Sequence, residues 1–117
     1  MKKALSFLLI ITILLTTVSL ISCSNKYGVD KKLEAEIRQA LEGKSCYGGS
    51  QHTRFSYNIK DEKVIRTAYL DGEEWKSQSY ERSYVVKPDC IYDGTETIYY
   101  IYKNGQITYF ELTSPKQ

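Results

Sequence analysis

Three cysteines, one histidine and a few clustered carboxylates are the residues through which this 117-residue chain could do covalent or metal chemistry. His52 is the single histidine and no cysteine pair is free of a presumed bridge, so a zinc site would have to come from scattered carboxylates. Cys46 with His52 is a nucleophile and base by residue type, but a cystine accounts for Cys46 better, and His52 reads as a loop or strand-end residue. Asp71, Glu73 and Glu74 are close enough for general acid and base work. They fall at a turn signal, however, where solvated acids ordinarily sit. Gly48 and Gly49 lack the preceding strand and following helix that a phosphate-cradling loop needs. We expect no catalytic residue, no metal and no cofactor, and a protein that is not an enzyme.

Aromatic residues offer a different chemistry. Arg54, Tyr57, Arg66, Tyr69, Arg82 and Tyr84 interleave guanidinium and phenol groups, a composition suited to stacking on sugars or bases. Lys2 and Lys3 carry the whole formal charge of +2, and the rest of the chain is balanced. A balanced domain has no bulk electrostatic reason to seek nucleic acid. The candidate ligand surface is therefore Tyr57, Trp75, Tyr99, Tyr100 and Tyr109, for a small apolar or glycan ligand or a protein.

The elements that must hold these residues are legible in the periodicity. Asp30 can cap a helix whose apolar residues are Leu33, Ile37, Ala40 and Leu41, with Glu34 and Arg38 as an i, i+4 pair and Gly43 as a stop. The mixed charge of its polar face favours packing on the domain over lying on a membrane. After Ser50 the pattern becomes one of antiparallel strands. Thr53, Phe55, Tyr57 and Ile59 alternate with polar residues, Lys60 to Lys63 turn the chain, and Ile59 should pair with Val64. A turn at Asp71 and Gly72 sets Trp75 opposite Ala68. Glu73 to Val86 is interrupted near Ser77 to Ser79, Pro88 ends it, and Ile91 to Asp93 is a short strand. Asn104 and Gly105 suit the tip of a type I′ hairpin. Plain alternation there pairs Tyr102 with Ile107, Tyr100 with Tyr109, Ile101 with Thr108 and Tyr99 with Phe110, leaving aromatics on both faces. The expected fold is all-β: an antiparallel meander of about five to seven strands, either a curled sheet or a small barrel, preceded by one amphipathic N-terminal helix.

The N-terminus carries a different message. Lys2 and Lys3 precede an apolar run from Ala4 to Ile21, which reads as a secretory signal and, if left uncleaved, is just long enough to span a bilayer. It ends in Leu20, Ile21, Ser22 and Cys23, which resembles the lipobox of bacterial lipoproteins. That resemblance implies a signal peptide of residues 1–22, a diacylglyceryl group (with palmitate or a similar acyl chain) on Cys23, a tether over 23–29 and a single domain over 30–117. It places the protein in the cell envelope, anchored in the lipid bilayer: at the outer membrane in a Gram-negative cell, otherwise at the outer face of the plasma membrane. With Cys23 given to lipid, Cys46 and Cys90 are the pair left for a disulfide in an oxidising compartment, and closing that loop contributes on the order of 4 kcal/mol.

From Leu41 onward, Leu41, Glu42 and Gly43 followed by meandering strands resemble the short lipocalin-like domains of bacterial lipoproteins. Ser45 stands where that family has Trp two residues after its glycine. The resemblance implies a helix-and-barrel architecture and a binding function. The expected function is thus a membrane-anchored, non-enzymatic binding module. The alternative is a structural or interaction lipoprotein of an envelope complex, including inhibitor-type protein binding, with no small ligand. A Cys23→Ala chain should remain unprocessed and take up no fatty-acid label in cells fed a clickable acyl probe; persistent labelling contradicts acylation at this residue.

Overall fold

The structure is a computed structural model that describes residues 24–115; the expected signal peptide, 1–22, and Cys23 lie outside the described residues. Helix α1 spans Lys31–Leu41. The Asp30 carboxylate accepts a hydrogen bond from the Leu33 amide at 3.1 Å, so the expected cap forms. Ile37 and Leu41 are buried, while Leu33, at the start of the stripe, stays 39% exposed. Just beyond the helix, Glu42 accepts the amide protons of Asp61 (2.8 Å) and Glu62 (2.9 Å). Both turn residues have positive φ, at 53° and 59°, a conformation that costs energy for side chains with a Cβ. The Glu42 clamp holds the turn in place and ties the helix end to the sheet.

Nine strands follow among the described residues: β1 (Ser45–Gly49), β2 (Thr53–Lys60), β3 (Lys63–Leu70), β4 (Glu73–Glu74), β5 (Tyr80–Ser83), β6 (Val85–Val86), β7 (Cys90–Tyr92), β8 (Thr97–Lys103) and β9 (Gln106–Glu111). They form two antiparallel sheets. In the first, β1, β2 and β3 run side by side, and β4 and β5 pair in succession along the far edge of β3. In the second, the order is β6, β7, β8, β9. Only Tyr84 separates β5 from β6, so the chain steps from one sheet to the other at one residue. The expected meander of strands is present, with more and shorter strands than anticipated, but it does not close into a barrel, because β1 and β9 are not paired with each other.

Ile59 pairs with Val64, as the alternation requires, and the β3–β4 turn places the Trp75 amide 2.7 Å from the Ala68 carbonyl. The β8–β9 hairpin turns at Asn104 and Gly105, both with positive φ. Its register departs from plain alternation after the first two pairs. Tyr102 faces Ile107 as expected, but a bulge follows, and Ile101 then pairs with Tyr109, Tyr100 with Phe110 and Tyr99 with Glu111. The extra residue reverses the parity of β9, so Ile107 and Phe110 both enter the core beside Tyr100 and Ile98. Strict alternation would have left Phe110 on the outside.

One hydrophobic cluster joins α1 and both sheets, including Leu41, Cys46, Tyr57, Ile59, Ile91, Ile98 and Tyr100. At its polar margin lies Arg66, only 7% exposed. Its guanidinium stacks on Phe55 at 4.8 Å and Tyr80 at 4.5 Å. Its Nε donates to the Gln78 carbonyl at 2.8 Å, and one terminal nitrogen reaches the Glu96 carboxylate at 3.5 Å. Tyr80 donates its phenol proton to buried Asp93 at 2.6 Å, and the other Asp93 oxygen accepts the amide protons of Thr95 and Glu96. Arg66 and Tyr80 belong to the first sheet and residues 93–96 to the second, so this network pins one sheet to the other. Arg66→Ala leaves Gln78 and Glu96 without their donor and should cost about 3–5 kcal/mol of stability, read as a lowered urea midpoint. Arg66→Met, which keeps the volume, should cost clearly less.

Candidate ligand-binding site

The residues proposed from sequence do not converge. Tyr57 is 1% and Tyr100 4% exposed, so both are core residues and not a ligand surface. The reason lies in strand parity: Tyr57 shares a face with Ile59, and Tyr100 with Ile98, both of which are in the core. Burial pushes the Tyr100 phenol up to about 12, and that hydroxyl donates to the Lys87 carbonyl at 2.5 Å. Tyr99 and Tyr109 are half-buried on the outer face of the second sheet, where the bulge has moved Tyr109 opposite Ile101. Trp75 is half-buried at the start of a 3-10 turn, Lys76–Gln78, in the first sheet.

The bridge expected between Cys46 and Cys90 does not form; both are buried free thiols. Cys46 pairs with Tyr57 in the first sheet and sits within the core cluster. Cys90 pairs with Tyr99 in the second sheet, and since its neighbour Ile91 faces the core, Cys90 faces the other way. The two side chains therefore leave their strands towards different sides. Burial is the main cause that pushes the Cys46 thiol up to about 12 and raises that of Cys90, which makes both poor nucleophiles.

His52 lies in the exposed β1–β2 turn, with Nδ1 2.9 Å from Asp71. Each side chain is 70% exposed, so the pair is fully solvated. Glu73 and Glu74 are exposed as well. Among the described residues, no group of three or more His, Cys, Asp or Glu side chains comes together as a metal site. The Tyr80 phenol is raised by burial and by its Asp93 partner, which keeps Tyr80 protonated as the donor to Asp93. Glu34 is a contrasting case. Burial works against its charged form, but hydrogen bonds from Arg38 and Asn25 and the charges of Arg38 and Lys31 bring it below the ordinary carboxylate value.

What the fold does assemble is a groove of about 660 Å³ on the outer face of the first sheet, lined by Tyr47, Gly48, Gly49, Ser50, Arg54, Phe55, Ser56 and Tyr69. Its geometry follows from the ladders. Gly49 pairs with Arg54 and Arg54 with Tyr69, while Tyr47 pairs with Ser56 in the neighbouring row. All five residues have the same parity, opposite to Cys46 and Tyr57, so they face solvent. Tyr47 is 70% exposed and Tyr69 37%. They stand two strands apart, about 10 Å, with the Arg54 and Ser56 side chains between them. Arg54 makes no ion pair among the described residues, which leaves its planar fork of donors open to a ligand.

The two glycines let β1 approach its neighbours closely. Gly49 has φ +113°, and a Cβ there would sit 2.1 Å from the Thr53 carbonyl oxygen, so only glycine fits the close approach of β1 to β2. At Gly48 a Cβ would come within 2.5 Å of Leu112, the side chain that packs beneath it. Arg54 and Tyr69 belong to the Arg and Tyr pattern read from sequence; Tyr47 and Ser56 were not singled out. Tyr47 escaped because Ser45 to Gly49, with two glycines, carries too little strand propensity to announce β1. Its alternation with Cys46 and Gly48 was the available signal.

A second concavity of about 640 Å³ lies between α1 and the β2–β3 turn. Among its charged groups, Glu34 and Arg38 pair with each other and Glu42 is taken up by the turn amides. No protein-family model, curated protein or solved structure matches the chain. Tyr47→Ala removes a solvated ring and should change stability by less than about 0.5 kcal/mol. Gly49→Ala forces the β1–β2 approach apart and should lower the thermal midpoint clearly, a contrast that one melting series checks.

Proposed function

We propose that this protein is an envelope lipoprotein, anchored through acylated Cys23, whose folded part is a non-enzymatic binding module taking a glycan in the Tyr47, Arg54 and Tyr69 groove. The observation that carries the ligand assignment is the outward placement of two tyrosines on rigid strands with a free guanidinium and a hydroxyl between them. Tyrosine presents a large, stiff, amphipathic face at small entropic cost, and adjacent Gly and Ser leave backbone and hydroxyl groups accessible, the composition that adaptable binding surfaces share. Sugar rings have apolar faces that stack on phenols and hydroxyl rims that suit Arg and Ser. The groove is too open and too polar for a wholly apolar ligand. The anchoring part rests on the Leu20, Ile21, Ser22, Cys23 sequence.

One observation favours the alternative of a protein partner without a small ligand. Strand β1 is an edge, and Ser50 donating to Thr53 and Ile59 to Lys44 turn its even-numbered residues towards β2. The backbone groups of Ser45, Tyr47 and Gly49 then point outward, without the lysine or proline that usually guards an edge. An extended peptide could add there.

Screening the protein against an oligosaccharide array, followed by calorimetric titration of the hits, separates the two readings. Tyr47→Ala and Tyr69→Ala should each weaken glycan binding by about tenfold, the loss of a stacking contact worth 1–3 kcal/mol. Tyr57→Phe, a change inside the core, should leave affinity unaltered. An array without hits, together with peptide binding that a proline at Tyr47 abolishes, transfers the function to the β1 edge.

A further inference from the structure

The segment read as a tether, Ser24 to Gly28, is folded. Ser24 forms an isolated β-bridge with Asp30. The Asn25 side-chain oxygen accepts the amide protons of Tyr27 (2.9 Å) and Val29 (3.1 Å), and its nitrogen donates to the Val86 carbonyl at 2.9 Å and to Glu34 at 2.8 Å. Backbone bonds between Asn25 and Val29 and between Gly28 and Asn25 close the loop, and Val29 is buried in the core. One side chain thus fastens the chain to β6, to α1 and to its own turn.

Cys23 precedes Asn25 by two residues, and two residues of fully extended chain span at most about 7 Å. That is close to the thickness of one headgroup layer, about 5–8 Å on each side of the hydrocarbon core. An acyl-bearing Cys23 therefore has no slack with which to hold the domain away from the bilayer.

The surface around this entry point has the matching chemistry. The Lys26 ammonium lies 5.2 Å from the Tyr27 ring, and Lys87 lies 5.1 Å from the rings of both Tyr27 and Tyr92. Lys31 and Lys32 open α1 directly after the bridged Asp30. Of the nearby acids, Asp30 is occupied as the helix cap and Glu34 by Asn25 and Arg38; Asp89 is exposed. Tyrosine and lysine side by side are suited to the boundary between headgroups and water, where phenols sit half in each medium and ammonium groups meet lipid phosphates.

We infer that the Lys26, Tyr27, Lys87 and Tyr92 surface rests on anionic lipid headgroups and fixes the domain in one orientation on its membrane. This rests on the anchoring reading above, and goes beyond it in making the loop a rigid mount rather than a leash. The test uses full-length protein with its native acylation, confirmed by mass spectrometry and reconstituted into phosphatidylcholine vesicles with or without phosphatidylglycerol. A bimane label is placed at Lys26→Cys or, as the distant control, at Glu73→Cys, an exposed strand residue. The buried native thiols Cys46 and Cys90 are protected from the label. Nitroxide-headgroup lipid should quench the Lys26→Cys label several-fold more than the control. Ten Gly and Ser residues inserted between Ser24 and Asn25 should erase the difference while the protein stays on the vesicles, and omitting phosphatidylglycerol should reduce it. Equal quenching at the two positions, or indifference to the insertion, on protein acylated at Cys23 overturns the fixed orientation alone. Quenching unchanged without phosphatidylglycerol overturns the anionic-headgroup contact, and absence of acyl chains on Cys23 overturns both the inference and the anchoring reading.

Discussion

The Arg66 guanidinium, stacked on Phe55 and Tyr80 and bonded to Gln78 and Glu96, is the contact on which the arrangement of the two sheets depends. A buried arginine is costly unless its donors are met and its faces are covered. Here both conditions hold only when the 3-10 turn, β2, β5 and the β7–β8 turn are all in place. The requirement makes the contact specific: Glu96 and the Asp93–Tyr80 bond reach it from the second sheet together. Leu, Ile, Val and Phe are sparse after residue 22, so tyrosine rings supply much of the buried area, and their hydroxyls must find acceptors. Tyr80 and Tyr100 do so; the Tyr84 hydroxyl, buried at the crossing between sheets, has no hydrogen-bond partner among the described residues.

Parity decides which aromatics are structure and which are surface. Along a strand each step of one residue exchanges core for solvent, so Tyr57 and Tyr100 are consumed by packing while Tyr47 and Tyr69 are released to the groove. The bulge in β9 uses the same rule: one unpaired residue lets Ile107 and Phe110 both point inward and sends Tyr109 out. The same step separates Cys46 from Cys90. The fold therefore relies on Arg66, the Glu42 clamp and the Asn25 loop as its cross-links, each joining distant parts of the chain through side chains with several hydrogen-bonding groups.

These cross-links also relate the proposed binding face to the proposed anchor. The Asn25 loop joins the entry point of the chain to β6 and α1, α1 is joined to the β2–β3 turn through Glu42, and β2 and β3 carry the Arg54 and Tyr69 side chains. A rigid path thus runs from the residue after Cys23 to the groove, so an orientation imposed at one end is felt at the other.

Elements whose cause is local were legible in the residues themselves. Asp30 capping α1, the Ile59–Val64 pairing, the Asp71–Gly72 turn and the Asn104–Gly105 hairpin tip depend on neighbours within a few positions, and all appear as the sequence required. The all-β class with one leading helix follows from the same local rules. What depended on distant partners was not legible. The glycine-rich β1 becomes a strand because β2 offers it a ladder, and the bulge exists because the core needs both Ile107 and Phe110. The thiols stay apart because their strands face different sides, and the groove exists because Gly49, Arg54 and Tyr69 fall in one row. Short-range propensity acts through a few backbone angles and can be read from a short stretch of residues. Register, facing and the pairing of buried charges are set by whichever long-range packing leaves the fewest apolar surfaces and polar groups unmet, and that choice is made only when the whole chain has folded.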